Sequence, residues 1–417
     1  MLAGGIWKLI IRPNEAGLGM ANENTTQIAS HGTTLQASKA DTKVVRPKRI
    51  GVIGISRELP VPPSIGFATL YELIGKNTGN LMFSEAAHSL IDGEVTTIGY
   101  SFDPHYVNGN FDAVVIPAAN WLNDYSEWDW FIERLSSLKV PVVVMGLGVQ
   151  CANYELASVR INESSHRLAN FFANQPSPIS VRGNFTRDWL ASIGISNVVV
   201  TGCPSIYMNM FDQSPTDSNG KMIVQGTRYG ISNNFLHSNG VNRRMFDFAV
   251  DFDWPMIFQS ETEEMEILSY PASESSFDDN RISMLLELYK AGSLQAFVQF
   301  LRRNGRVFYS LGAWSDFIRG HRGVLGTRLH GSIIALNSGR PAALVPHDSR
   351  TAEVAAFAGI QTLHGPTVVA CKTADDLENL ISPHGLDSYR DTRSSNQVQF
   401  LHFLRDANLA PRHDWMF

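Results

Sequence analysis

The chain has 417 residues, 44% of them hydrophobic and 18% charged; this is too long for one ordinary core and implies two domains of about 150 to 200 residues. Its 34 Lys and Arg are outnumbered by 40 Asp and Glu, for a formal net charge of -6, which argues against nucleic-acid binding, because the sequence-independent part of that affinity needs clustered cations. Cys151, Cys203 and Cys371 are far apart and odd in number; they match no disulfide framework or zinc spacing and are expected as reduced thiols in the cytoplasm, Cys203 as a small buried hydrophobe.

The first apolar stretch is interrupted by Lys8, with no basic region ahead of it and no small-residue cleavage site behind, so it does not read as a signal peptide. Residues 13–46 are polar, rich in Asn, Thr, Ser and Ala, without a sustained period, and residues 1–47 are expected to be a disordered leader. No window reaches the roughly 18 to 20 apolar residues of a membrane span.

From Lys48 short apolar runs alternate with amphipathic segments. Ile50–Ile55, Ala113–Ile116, Val140–Met145, Ile179–Val181 and Val198–Thr201 read as buried strands. Between them Phe67–Ile74, Leu81–Leu90, Trp128–Leu138, Ser164–Ala173 and Asn184–Ile193 carry helical spacing, the last followed by Gly194 as a C-terminal stop. A polar Asn, Ser, Asp and Gly-rich stretch over 211–240 suits an interdomain connection. A second block follows, with strands at Met256–Phe258, Val307–Tyr309, Val324–Gly326 and Ala342–Val345 and helices near Arg281–Tyr289, Leu294–Arg303, Gly331–Ser338 and Thr351–Ala358. Strand and helix in alternation predict an α/β protein: two Rossmann-like domains, 48–210 and 241–390, with mostly parallel sheets facing a central cleft, and a C-terminal helix or tail over 391–417. In open α/β sheets the ligand sits beyond the carboxyl ends of the strands, which puts the active site between the domains.

The most informative run is Gly326-Thr327-Arg328-Leu329-His330-Gly331. Strand, tight turn and helix start would gather a permanent cation, a titratable imidazole and free backbone N–H groups at a point already favourable to an anion. Three other clusters sit at predicted strand ends. Arg182-Gly183-Asn184 places a second Arg at a helix that Asn184 would cap, competing with a surface ion pair. His347-Asp348-Ser349-Arg350 brings Arg and His to the same sheet edge, although Asp348 or Ser349 equally suits a helix cap. Asn77-Thr78-Gly79-Asn80 is a Gly-containing loop at a helix start, where Asn80 also suits a plain N-cap. Thr201-Gly-Cys-Pro-Ser205 reads as a simple domain exit, and Gly320-His321-Arg322-Gly323 as an exposed basic turn. The Gly146-Leu-Gly148 pair lacks the third Gly of a dinucleotide fingerprint, and no P-loop, GxSxG elbow, HExxH or Cys/His metal cluster is present.

The run V-L-G-T-R-L-H-G-S-I-I-A-L-N-S-G-R-P-A-A-L-V-P-H-D-S-R resembles the C-terminal signature of the polysaccharide pyruvyl transferase family, and I-S-V-R-G-N-F-T-R-D-W-L-A-S-I-G-I-S-N-V-V-V-T-G-C-P-S resembles its middle signature. With the N-T-G-N loop the resemblance covers most of residues 48–365. It implies a GT-B-like fold and transfer of pyruvate from phosphoenolpyruvate onto a sugar of a polysaccharide or exopolysaccharide precursor as a cyclic ketal, with no organic cofactor. Carried over, Arg182 and Arg328 with Leu329 would bind the donor and His330 would be the acid or base. Asn77, Gly79, Asn80, His347, Asp348 and Arg350 would complete the binding site. Many members carry an acidic residue where this chain has Asn80, so no catalytic carboxylate is assigned there. The implied partners are phosphoenolpyruvate and a sugar or lipid-linked oligosaccharide, the latter compatible with peripheral membrane association. A nucleotide-sugar glycosyltransferase of the same fold and a non-catalytic sugar- or anion-binding protein are the competing readings.

Overall fold

The computed structural model describes residues 48–60, 62–151, 154–210, 220–227, 240–270, 277–382 and 384–413; the leader expected over 1–47 lies outside them. The first sheet contains β1 (Arg49–Val52), β2 (Glu94–Thr97), β3 (Ala113–Pro117) and β4 (Val142–Met145) in the order β2-β1-β3-β4. A parallel bridge between Leu147 and Val181 continues it to β5 (Ile179–Val181) and β6 (Val198–Val200). The second sheet runs β12-β11-β10-β7-β8-β9, from β7 (Met222–Gln225), β8 (Met256–Phe258), β9 (Gly305–Val307), β10 (Gly323–Gly326), β11 (Ala342–Leu344) and β12 (Gln361–Thr362). All these pairings are parallel.

The second sheet has the Rossmann strand order and the first the flavodoxin-like order, so each has one point where the chain reverses its direction of winding, between β1 and β3 and between β7 and β10. Segments leaving both points line one cavity: Asn77 and Asn80 after β1, Asn120 after β3, Thr227 after β7, and Thr327 and Arg328 after β10. The architecture is therefore two Rossmann-like units facing a central cleft.

Three elements depart from expectation. The segment 211–240, read as a connection, contains β7, which lies between β10 and β8 at the centre of its sheet. Its Met222-Ile-Val-Gln225 run is fully buried, but is too short to stand out from polar flanks. The polar strand β2 pairs only at the sheet edge, with its side chains alternating between exposed and half-buried. The strand expected at Val307–Tyr309 begins two residues earlier, because Met256 pairs with Gly305.

The C-terminal helix starts ahead of the expected tail, at His384, and runs to Asp406. It straps both units: Tyr389 Oη donates to Asn337 Oδ1 (2.8 Å) and Ile206 O (3.2 Å), Arg393 donates to Tyr207 O (3.1 Å), and Phe400 stacks on Tyr207 at 4.6 Å. The chain then returns to the first unit, where Asp92 N donates to Ala410 O (2.7 Å).

A second tie uses a carboxylate. The helix Asn184–Ser192 has no side-chain cap of its own; instead Glu353, from the helix Ser349–Ala358, accepts from Thr186 N (3.0 Å) and Thr186 Oγ1 (2.7 Å). A Cβ on Gly183 would lie 2.8 Å from Glu353 Oε2, so the approach needs a glycine. Asn184 is thus the first residue of the helix and not its cap, and the helix end expected to meet a ligand is filled internally. Burial pushes the Glu353 carboxyl up to about 7, against the Thr186 bonds that hold it down. A raised folded pKa stabilises the fold below the unfolded value of 4.5, and that contribution is lost as pH rises through about 7; over this window the loss amounts to about 3 kcal/mol. Glu353→Gln does not titrate, so its melting-temperature deficit relative to wild type should shrink between pH 5 and pH 8. A constant gap across that range contradicts a raised Glu353 pKa in the folded state.

Candidate active site

The β10 corner is set by two glycines. A Cβ on Gly326 would lie 2.1 Å from Gln225 O and one on Gly331 1.5 Å from Gln225 Oε1, so only glycine lets the helix Leu329–Asn337 press onto β7. Arg328 occupies the N-cap position without capping, and the first N–H groups of the helix have no carbonyl inside it. The Arg328 side chain runs sideways: Nη2 donates to Ser260 Oγ (2.6 Å) and pairs with the Glu261 carboxylate, while Nε reaches Gly226 O (3.5 Å). Glu261 is 3% exposed, and its Oε2 accepts from the backbone N–H groups of Gln259 (3.1 Å) and Ser260 (3.2 Å). The guanidinium is therefore locked in place by a buried carboxylate that partly offsets its charge.

Arg182 is the opposite case. It is 1% exposed, and among the described residues it donates only to backbone carbonyls, Nε to Gly146 O (2.9 Å) and Nη2 to Ala118 O (3.3 Å). A Cβ on Gly148 would lie 3.1 Å from Arg182 Cδ, so the Gly146-Leu-Gly148 pair makes room for this side chain and accepts from it. Burial pushes the guanidinium below its usual pKa. A buried cation without a paired anion costs several kcal/mol, and such a site favours an anionic ligand.

His330, one residue into its helix, lies against Phe83 (5.6 Å between ring centroids), and its Nε2 is 3.7 Å from Cys203 Sγ. Cys203 is fully buried, as expected, but its segment is more than a domain exit: Asn337 Nδ2 donates to Ser205 O (2.9 Å), so this turn is wedged against the His330 helix. Burial first, then the Arg182 and Arg350 charges, hold the imidazole well below its usual pKa. It is neutral at neutral pH and able to accept a proton.

The Asn77–Asn80 loop closes the cavity from the first unit. Thr78 N donates to Gln259 O (3.0 Å), and Asn77 Oδ1 accepts from Gly79 N (2.8 Å). A Cβ on Gly79 would lie 2.8 Å from Gln259 Oε1 and 3.0 Å from His330 Nδ1, so a side chain there would collide with the imidazole. Gly79 and not Asn80 is the N-cap of the helix Asn80–Leu90; Asn80 Nδ2 instead ties back to Ile74 O (3.2 Å) and Gly75 O (3.0 Å). On the far rim Asp348 caps the helix Ser349–Ala358 through Thr351 N (2.8 Å), pairs with Arg350 (3.1 Å) and lies 3.7 Å from His347 Nε2. Burial would raise the Asp348 carboxyl, but Arg350, His347 and Thr351 together hold it below its usual value; burial lowers His347.

One cavity of about 620 Å³ is lined by Asn77, Asn80, Arg182, Arg328, Leu329 and His330 together with His347, Asp348 and Arg350. Gly79 abuts His330 without lining the cavity. The Gly320–Gly323 turn lies elsewhere, with His321 Nδ1 against Phe317 O (2.7 Å) and Arg322 paired with Glu378.

A family model described as polysaccharide pyruvyl transferase matches residues 63–349, which span β2 to β11 and hold every one of these side chains except Arg350. The chain belongs to the polysaccharide pyruvyl transferase family. No curated protein sequence matches it. Similar solved structures include S. aureus MnaA with UDP (10% identity, 87% of this chain and 99% of that one, TM-score 0.45) and Methanocaldococcus jannaschii UDP-GlcNAc 2-epimerase with UDP-GlcNAc and UDP (10%, 83% and 98%, 0.42). S. aureus TarM is similar over 71% of this chain and 54% of that one, at 11% identity and a TM-score of 0.41.

For this pyruvyl transferase family member, sequence reasoning missed Glu261, Gln259, Ser260 and Glu353. The first three form Gln259-Ser260-Glu261 directly after β8, a polar strand end of the kind that marked the other clusters. Glu353 carried no signal, since it lies on a helix face whose partner is the other unit. Among the described residues no helix is long and apolar enough to cross a membrane.

The free protein's His330 ring protons, followed by NMR, should titrate well below pH 6.5, and the midpoint should move up when inorganic phosphate is added, because an anion offsets Arg182 and Arg350. A midpoint near 6.5 that ignores phosphate contradicts this electrostatic picture.

Proposed function

We propose that the protein moves the pyruvyl group of phosphoenolpyruvate onto two hydroxyls of one sugar in a polysaccharide or its precursor. The observation that carries this reading is Arg182, a buried guanidinium with only neutral acceptors, lining the same cavity as His330. The donor bears a carboxylate and a phosphate on neighbouring positions. Arg182 and Arg328 supply forked donors for these groups, joined by the N–H groups at Leu329 where the helix dipole favours an anion. The Asn77–Asn80 loop closes over the donor, and His347, Asp348 and Arg350 shape the rim.

A proton added to C3 of the enol makes C2 electrophilic, and the first sugar hydroxyl attacks C2 and loses its proton. The C2–O bond to phosphate then breaks, phosphate leaving with the electron pair, and the second hydroxyl closes the ring. In the net reaction one hydroxyl proton ends on C3 and the other on phosphate. His330, neutral in the empty site, takes a hydroxyl proton, and the donor's negative charge raises its affinity for that proton while it is held.

Phosphate release from phosphoenolpyruvate, with the glycan fraction of a deletion strain as acceptor, is the direct assay; nucleotide release from nucleotide sugars in its place would assign a glycosyltransferase. In the phosphate assay His330→Ala should lose on the order of 100-fold or more in turnover while calorimetry shows donor binding retained, and His330→Gln should recover little. A fully active Gln variant removes the proton-transfer role.

Arg328→Lys should be strongly impaired although it keeps the charge, because one ammonium cannot hold Ser260 and Glu261 and still present a fork to the donor. Arg182→Ala should raise the apparent constant for phosphoenolpyruvate; an unchanged constant would leave Arg182 a purely structural role.

A further inference from the structure

We infer that Tyr125, Gln150 and Asn120 form the acceptor subsite, a platform for the ring of a neutral hexopyranose beside Arg350. The inference rests on the proposed transfer reaction only for which reactant the platform serves. These residues line the first unit's side of the cavity, while the charged groups Arg328, His347, Asp348 and Arg350 come from the second. The first unit's wall also carries Asp124, Arg160 and Arg182, and the platform is its stretch of amides and an aromatic ring.

The platform is fixed by its backbone and by its own hydrogen bonds. Leu122 N donates to Gly148 O (3.2 Å) and Gln150 N to Leu122 O (2.9 Å), latching the two loops together. Asn123, 2% exposed, accepts from Tyr125 N (3.1 Å) and Ser126 N (2.7 Å), which sets the turn that presents Tyr125. Gln150 Oε1 accepts from Tyr125 Oη (2.7 Å) and from Asn120 Nδ2, and Asn120 Oδ1 accepts from Arg350 Nη1 (3.4 Å). Each side-chain polar atom of the trio has a partner, Asn120 Oδ1 through Arg350, except Gln150 Nε2, which has none among the described residues. Its two N–H donors are held rigidly by the bonds to Oε1.

Tyr125 is 64% exposed, which is unusual for a large ring that its neighbours hold in one place. A pyranose matches both features. Its face of axial C–H groups stacks on an aromatic ring, and its hydroxyl oxygens accept from an amide NH2. The platform lines the same cavity as Arg182, Arg328 and His330, so a sugar seated on it shares the space proposed for the donor.

The test is saturation-transfer NMR on the full chain with inorganic phosphate present, using the methyl glycosides of glucose, galactose and mannose as probes. At least one should receive saturation on its ring protons, and the effect should fall at least several-fold in Tyr125→Ala and in Gln150→Ala, while calorimetry shows phosphate binding unchanged. Tyr125→Phe, which keeps the ring, should retain most of the transfer; thermal melts confirm that each variant folds. Transfer that persists in both alanine variants, no transfer to any glycoside, or stronger transfer to uridine diphosphate through the same tyrosine each overturns the subsite. Loss of phosphate binding alone, with glycoside contact still dependent on Tyr125, would count against the donor assignment and not against this one.

Discussion

The structure turns on a positive charge that the protein buries without pairing it. Arg182 directly follows β5, and the local chain is arranged to tolerate it: Gly146 offers a carbonyl, Gly148 leaves room for the aliphatic stem, and Ala118 accepts from the far end. Carbonyl dipoles solvate a guanidinium but do not neutralise it. The residual field acts on His330, which stays neutral, and it defines the site that an anionic donor would complete.

Arg328 shows the complementary solution. Its partner Glu261 fixes the fork at the helix start, trading part of its charge for geometry. One cation is thus strong and desolvated, and the other is precisely oriented. A donor with two different anionic groups suits such an asymmetric pair better than it suits two equivalent arginines.

The two units meet through polar contacts close to this centre. Glu353 caps a helix of the opposite unit, Thr78 docks on Gln259, Ser349 N donates to Cys151 O (3.1 Å), and the C-terminal helix ties Asn337 to Ile206. These contacts are directional, so a shift between the units would break several at once. That rigidity keeps His330 and Arg182, from different sheets, in one cavity.

The sequence by itself determined the architecture and marked the strand ends that the fold gathers around one cavity. Alternating apolar runs and helical periods specify parallel α/β units, because burial on both faces demands such patterns, and the TRLHG and SVRG runs mark strand ends, because Gly and cations at helix starts have few other uses. Local pattern could not reveal β7, whose three apolar residues are a strand only because β8 and β10 flank it, or β2, whose polar residues suit an edge. Nor could it separate the two arginines. Whether a guanidinium meets a carboxylate, as Arg328 meets Glu261, or only carbonyls, as Arg182 does, depends on residues far away in the chain. The same holds for Glu353, which fills the helix end that its sequence neighbours leave open. Hydrophobic periodicity is a property of neighbours and can be read along the chain, whereas charge compensation acts through space and is decided only when the tertiary fold brings its partners together.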